Sequence, residues 1–213
     1  MNLHNHYYYF KSVLGNRFCN NLIEFAKEKI SQLAITGNEK EILEKNNELS
    51  DENLKNLKQI RDSNICWMDD KWIYKEIHPF IKEANKNANW NFEWDFSENC
   101  QFTIYKEGQH YHWHRDSWEH PYNDENNKKT FGKIRKLSVT CSLNDSSEYE
   151  GGELEFCFDN KEPNKERSTQ KCLEILPKGS IVVFPSFVWH KVNPVIKGTR
   201  YSLVIWNCGY PYK

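Results

Sequence analysis

Eleven residues, HYHWHRDSWEH from His110 to His120, hold four of the eight histidines in the chain. Imidazole nitrogens and carboxylate oxygens are the donors that hold many catalytic metal ions. A strand turns every second side chain to the same face. Read as a strand, the segment puts His110, His112, His114 and Asp116 on one face, with Tyr111, Trp113 and Arg115 on the other. One ion needs fewer ligands than that, so the rest of the chain has to select among them.

Three readings compete. In the first, the histidines are ordinary surface or core residues. In the second, His112, His114 and Glu119 join a distant histidine in a cupin-like set. That set normally continues as Pro-x-Gly-x-x-His, which would place a histidine just after Gly179, where Ile181 to Val183 stand instead. In the third, His114-x-Asp116 joins His190. Two imidazoles and one carboxylate on one face of Fe(II) leave the opposite face open for a chelating cosubstrate and dioxygen. HxD…H alone recurs by chance, but Arg200 follows His190 by ten residues in HKVNPVIKGTRYSLVIW. A guanidinium offers a two-pronged fork for a carboxylate. Within so apolar a run it is costly unless it meets an anion.

The elements that would position these groups are short strands. From residue 95 onward QFTIY, HYHWHRD, RKLSVTCSLN, GELEFCF, KCLEILP, SIVVFP, VWHKVNPV and TRYSLVIW are divided by turn residues such as Gly151-Gly152 and Pro177-Lys178-Gly179. Eight strands fit a double-stranded β-helix, or jelly roll. Residues 1–94 read as a helical part packed on one sheet of the 95–213 barrel, within a single structural domain of α+β, mainly β, class. Phe18, Leu22, Phe25 and Ile30 recur at helical spacing, as do Trp72, Ile73, Ile77, Phe80 and Ile81, with Pro79 as a kink or a start. Residues 36–60 read as an exposed polar loop with one surface helix, and 117–133 and 159–171 as further polar loops.

Composition narrows the function. A net charge of -1, without a basic stripe, argues against a nucleic-acid partner. The apolar runs are too short for a membrane span and the N-terminus has no apolar signal region. Seven cysteines, odd in number and with no CxxC pair, argue against a zinc ribbon or a disulfide scaffold and for a reduced, cytoplasmic protein.

The chain resembles the 2-oxoglutarate- and Fe(II)-dependent dioxygenases of the prolyl 4-hydroxylase type, most closely the PKHD-type hydroxylases. The family's Y-x-x-G-x-x-Y-x-x-H-x-D stands here as Tyr105, Gly108, Tyr111, His114 and Asp116. RKLSVTCSLN, GGELEF and the stretch from LPKGSIVVFPS to WHKVNPVIKGTRYSLVIW match its later strands in order. The resemblance implies His114, Asp116 and His190 as iron ligands and Arg200 as partner of the distal carboxylate of 2-oxoglutarate. It implies Ser202 as a hydroxyl on the same carboxylate, Tyr105 at the chelating end of the cosubstrate, and Trp206 beside the iron. Tyr111, Trp118 and Arg135 are expected substrate contacts, although Tyr111 has the opposite strand parity from His114. Arg200 stands where collagen-type relatives often use Lys, and Ser142 where some carry a second Tyr anchor, so the anchor set is expected to be rearranged.

The expected reaction is hydroxylation of an unactivated C–H bond, in a peptidyl proline or a small molecule, with release of succinate and CO2. Fe(II), 2-oxoglutarate and dioxygen are the implied cofactor and cosubstrates, with ascorbate as an accessory reductant. The competing classes are a non-catalytic jelly-roll module that binds a metal or sugar, and a cupin-type metalloenzyme without a keto acid. Neither needs a buried arginine for a dicarboxylate.

Overall fold

The computed structural model describes residues 5–29, 32–33, 51–159, 163 and 169–212. The expected loop over 36–50, and most of the one over 159–171, lie outside these residues. Among the described residues the strands are, in chain order, β1 (Tyr8–Phe10), β2 (Gln32–Leu33), β3 (Arg61–Asp62), β4 (Asn64–Met68), β5 (Phe96–Ser97), β6 (Cys100–Lys106) and β7 (His110–His114). They continue as β8 (Ile134–Ser142), β9 (Tyr149–Gly151), β10 (Leu154–Cys157), β11 (Gln170–Lys171), β12 (Ile181–Pro185), β13 (Trp189–Val192) and β14 (Val195–Gly209). A major sheet runs β1-β12-β8-β14-β6-β4-β2, with β5 and β9 also on β14, and a minor sheet runs β11-β10-β13-β7-β3. This is the expected jelly roll.

Period-2 patterning explains what lies between the sheets. In RKLSVTCS the apolar Leu137, Val139 and Cys141 alternate with Ser138, Thr140 and Ser142. The apolar set packs with Leu203 and Ile205 of β14 beneath the helices. The polar set faces the opposite way, as do Arg200, Ser202, Val204 and Trp206 of β14, since the register pairs Ser202 with Ser142, Val204 with Thr140 and Trp206 with Ser138. A polar interior is therefore written into the alternation. β12 is buried along its whole length because it is covered twice: Ile181 and Val183 meet the helical layer, while Val182 and Phe184 meet Leu154 and Phe156 of the minor sheet.

The helical layer follows its apolar spacing. Asn16–Glu28 buries Cys19, Leu22 and Ala26, and Lys71–Asn87 buries Ile73, Ile77, Ile81 and Ala84. Pro79 lies inside the second helix on its exposed side, where water can serve the carbonyl that loses its N–H partner. Asp51–Ile60 forms the surface helix expected near the end of the polar segment.

Two expectations need correction. Residues 1–94 are not helical alone, because β1 extends the major sheet beside β12, β4 pairs with β6, and β3 pairs with β7 of the minor sheet. Strands of two to five residues show too few alternations to stand out from their helical neighbours. KCLEILP is not a full strand either. After β11 it turns into a short 3-10 helix, Leu173–Ile175, burying Cys172 and Ile175 three apart and leaving Leu173 exposed. No helix among the described residues is long and apolar enough to cross a membrane.

Candidate active site

The strand with the histidines carries a bulge. His190 of β13 lies opposite His114 and Val192 opposite Tyr111, so β7 uses three steps where β13 uses two. The extra residue reverses the parity between positions 111 and 114. Tyr111, expected on the far face, turns inward and stacks on His114 with ring centroids 3.5 Å apart and planes 15° from parallel. His110 and His112, expected to share the face of His114, leave it. His110 is held by the carbonyls of Gly108 and Gln59, each at 3.2 Å, and His112 is exposed.

Asp116 lies just past β7. Its backbone N–H, and that of Ser117, donate to the Ser186 carbonyl at 2.9 Å, which pins the carboxylate beside the turn between β12 and β13. Ser138 Oγ donates to Asp116 Oδ2 at 2.6 Å and lies 2.9 Å from Ser186 Oγ. The Nδ1 atoms of His114 and His190 lie 2.8 and 3.0 Å from the carbonyls of His112 and Val188. A carbonyl only accepts, so each Nδ1 carries the proton and each Nε2 presents its lone pair. Those Nε2 atoms are 3.7 and 3.5 Å from the Asp116 carboxylate, and one ligand atom from each of the three residues lies within 4.8 Å of the others.

The electrostatics suit a cation. Burial, and then His190, push the His114 imidazole well below its ordinary value, which keeps it neutral as a ligand must be. Burial would raise the Asp116 carboxyl, but His190, His114, Arg135 and the Ser138 hydroxyl hold it below the usual range. The donor set is two imidazoles and a carboxylate, which fits Fe(II). The cupin-like set does not assemble: Glu119 is exposed and pairs with Arg115 at 3.5 Å.

His114, Asp116 and His190 line a cavity of about 420 Å³, part of it continuous with solvent, between the two sheets. Arg200, Ser202, Val204 and Trp206 enter it from β14, Gln101 and Tyr105 from β6, and Tyr111 from β7. Arg200 is 2% exposed, its Nη1 donates to Ser202 Oγ at 3.2 Å, and its guanidinium carbon is 5.6 Å from the Tyr105 ring centroid. No carboxylate among the described residues pairs with it. Gly152, at φ +66°, lets the chain pass so closely that a Cβ there would stand 3.0 Å from Arg200 Cδ. Buried cations need partners, so this end of the cavity fits a ligand carboxylate. Ser142, on the inward face, donates to the Asn144 carbonyl at 3.2 Å and does not line the cavity, leaving Ser202 as the hydroxyl on Arg200.

Arg135 is placed differently from expectation. Its Nε and Nη2 form a fork on Glu98 at 2.9 and 2.6 Å, its Nη1 lies 3.5 Å from the Asp116 carbonyl, and its guanidinium stacks 4.0 Å over Trp206. Tyr122 donates to the same Glu98 at 2.8 Å. Arg135 therefore braces the wall behind Asp116 and is not among the residues that line the cavity. Trp118 is exposed and does not line the cavity, and Tyr122 of the same loop is folded down onto Glu98. Glu98 and Arg61, a second arginine lining the cavity, went unremarked in the sequence. A charged residue opening each of the strand-like runs ENCQFTIY and RDSNICW was the available signal.

The Glu98–Arg135 pair gives a stability expectation. Burial would raise the Glu98 carboxyl, but the charge of Arg135 and the donors Tyr122 and Cys208 hold it below the usual range. A carboxylate depressed in the folded state contributes fully above its unfolded pKa, and that contribution is lost as the pH falls through the folded value. Glu98→Gln should therefore lower unfolding stability at pH 7 by about 3–5 kcal/mol, because it strands a buried guanidinium. In urea titrations the gap from the parent should close as the pH drops below about 4. A gap independent of pH would show that the charge of Glu98 is not what the fold uses.

Fold and site together define a jelly-roll protein with a two-histidine, one-carboxylate centre and an arginine-ended cavity. Residues 100–208 match the 2OG-Fe(II) oxygenase superfamily, and the chain belongs to that family. It is 34% identical over 103 residues to a PKHD-type hydroxylase of Synechococcus sp. (strain CC9605), a stretch that covers 48% of this chain and only 38% of that protein. The viral collagen prolyl hydroxylase of Paramecium Bursaria Chlorella virus-1 superposes with a TM-score of 0.61 at 18% identity, over 97% of either chain. A Trichoplax adhaerens prolyl hydroxylase, solved with a hypoxia inducible factor peptide fragment, superposes with a TM-score of 0.59 at 18% identity, over 96% of this chain and 84% of that one. At that identity the two structures establish the shared fold.

Proposed function

We propose that the chain is an Fe(II)- and 2-oxoglutarate-dependent dioxygenase that hydroxylates an unactivated C–H bond and releases succinate and CO2. The observation that carries this reading is the juxtaposition in one cavity of the His114–Asp116–His190 group with Arg200, a buried cation that has no carboxylate partner among the described residues. When bound, the iron supplies the activation of dioxygen, and the protein supplies placement and electrostatics. Arg200 and Ser202 hold the distal carboxylate of 2-oxoglutarate, Tyr105 orients its other end, and Trp206 with Val204 keeps the wall dry. Tyr111 packs on His114 and fixes the plane of that ring. The prolyl hydroxylase neighbour solved with a peptide fragment supports a peptide as prime substrate, with a small organic molecule as the second reading, and ascorbate belongs to the proposal as accessory reductant. Seven buried free thiols support the cytoplasmic setting.

The test is conversion of 2-oxoglutarate, followed by NMR. Protein with Fe(II) in air should form succinate, and should form none under argon or with Zn(II) in place of iron. Unchanged 2-oxoglutarate under all three conditions would favour a module that binds without turnover.

A further inference from the structure

Arg61 is the second arginine of the cavity, and neither the metal group nor the Arg200 anchor accounts for it. β3 pairs with β7 so that Arg61 lies opposite Tyr111, and its guanidinium carbon stands 4.5 Å from the Tyr111 ring centroid. Tyr111 stacks in turn on His114, so Arg61 is one ring layer away from a metal ligand. Arg61 is 6% exposed. Its Nε donates to Ser63 Oγ at 3.1 Å, while Nη1 and Nη2 meet no acceptor, and no carboxylate pairs with it, among the described residues. Asp62, next in the chain, is occupied by Gln109 Nε2 at 2.7 Å. A guanidinium carries five N–H donors, and those on Nη1 and Nη2 of Arg61, which lines the cavity, have no protein acceptor among the described residues, which leaves them for a ligand. Arg200 comes from the major sheet and Arg61 from the minor one, so the two cations reach the cavity from opposite walls. One dicarboxylate on Arg200 leaves Arg61 for the other molecule in the site.

Resting on the reading of the site as a 2-oxoglutarate-dependent hydroxylase, we propose that Arg61 binds a carboxylate of the prime substrate. The substrate class is then a small carboxylic acid whose free carboxylate lies close to the C–H bond that reacts. An internal peptide residue presents only neutral carbonyls at that place. These can accept a hydrogen bond but leave the charge of Arg61 uncompensated.

The experiment is ligand-observed NMR on the protein loaded with Zn(II) and saturating 2-oxoglutarate, using N-acetyl amino acids and their matching primary amides as probes. At least one acid should bind, with its amide at least about tenfold weaker, since hydrogen bonds to a charged group are among the strong ones. Arg61→Gln should weaken that acid roughly tenfold to a hundredfold while 2-oxoglutarate binds as before, and Arg61→Lys should retain part of the acid binding. Amides binding as well as acids, no acid binding at all, or acid binding unchanged in Arg61→Gln would overturn the proposal. Loss of 2-oxoglutarate binding in Arg61→Gln would overturn it too, by assigning Arg61 to the cosubstrate. A parent protein that fails to bind 2-oxoglutarate would instead overturn the reading of the site itself.

Discussion

Asp116→Ala and His190→Ala are each expected to abolish succinate formation while the protein stays folded. The three candidate ligand atoms lie within 4.8 Å of one another, and each variant removes one of the three donors grouped there among the described residues. The groups behind them, the Ser138 hydroxyl on Asp116 and the Val188 carbonyl on His190, are neutral oxygens that orient the ligands and do not replace a carboxylate or an imidazole. Loss of an outer partner typically costs about 10–100-fold in metal affinity or activity, and loss of the ligand itself should exceed that. Ser138→Ala supplies the comparison and should stay within the smaller range. Succinate would be read by NMR, with a thermal melt to confirm folding. Turnover in either variant near that of the parent would sink the ligand assignment.

Arg200→Ala should raise the 2-oxoglutarate requirement steeply while metal binding survives. Truncating one partner of a buried, hydrogen-bonded charge pair costs on the order of 2–5 kcal/mol, or roughly thirtyfold to several-thousandfold in affinity. Arg200 is more deeply buried than Arg61, and the backbone at Gly152 closes directly over it, so water replaces the guanidinium poorly. Arg200→Lys should recover only part of the loss, because an ammonium cannot reproduce the planar fork beside Ser202. Titration of 2-oxoglutarate into the metal-loaded variants reads both effects. An unchanged affinity in Arg200→Ala would place the anchor elsewhere.

The grouping of His114, Asp116 and His190 was legible in the sequence from residue type and spacing, and that of Arg200 with its neighbours because they sit on a regular strand. Arg200, Ser202, Val204 and Trp206 keep strict alternation along β14, and RKLSVTCS displays its polar inner face letter by letter. The parity argument failed at Tyr111, where one extra residue in β7 inverts the faces, and a bulge leaves no mark in an alternating string. Arg61 was hidden for a different reason. It lies on a two-residue strand donated by the N-terminal part, and its meaning depends on pairing with β7, a contact distant in sequence. Arg135 stands where a substrate contact was expected, yet its partner Glu98 lies 37 residues away, so its engagement was not local information either.

The most direct test of the site's assignment is an anaerobic difference spectrum on adding Fe(II) and then 2-oxoglutarate. A keto acid chelating Fe(II) that is held by two imidazoles and a carboxylate should give a visible charge-transfer band. The parent should show it, Asp116→Ala should not, and Arg200→Ala should show it only at much higher 2-oxoglutarate. No band in the parent, or the same band at the same 2-oxoglutarate concentration in all three proteins, would contradict the assignment of this cavity to iron and 2-oxoglutarate.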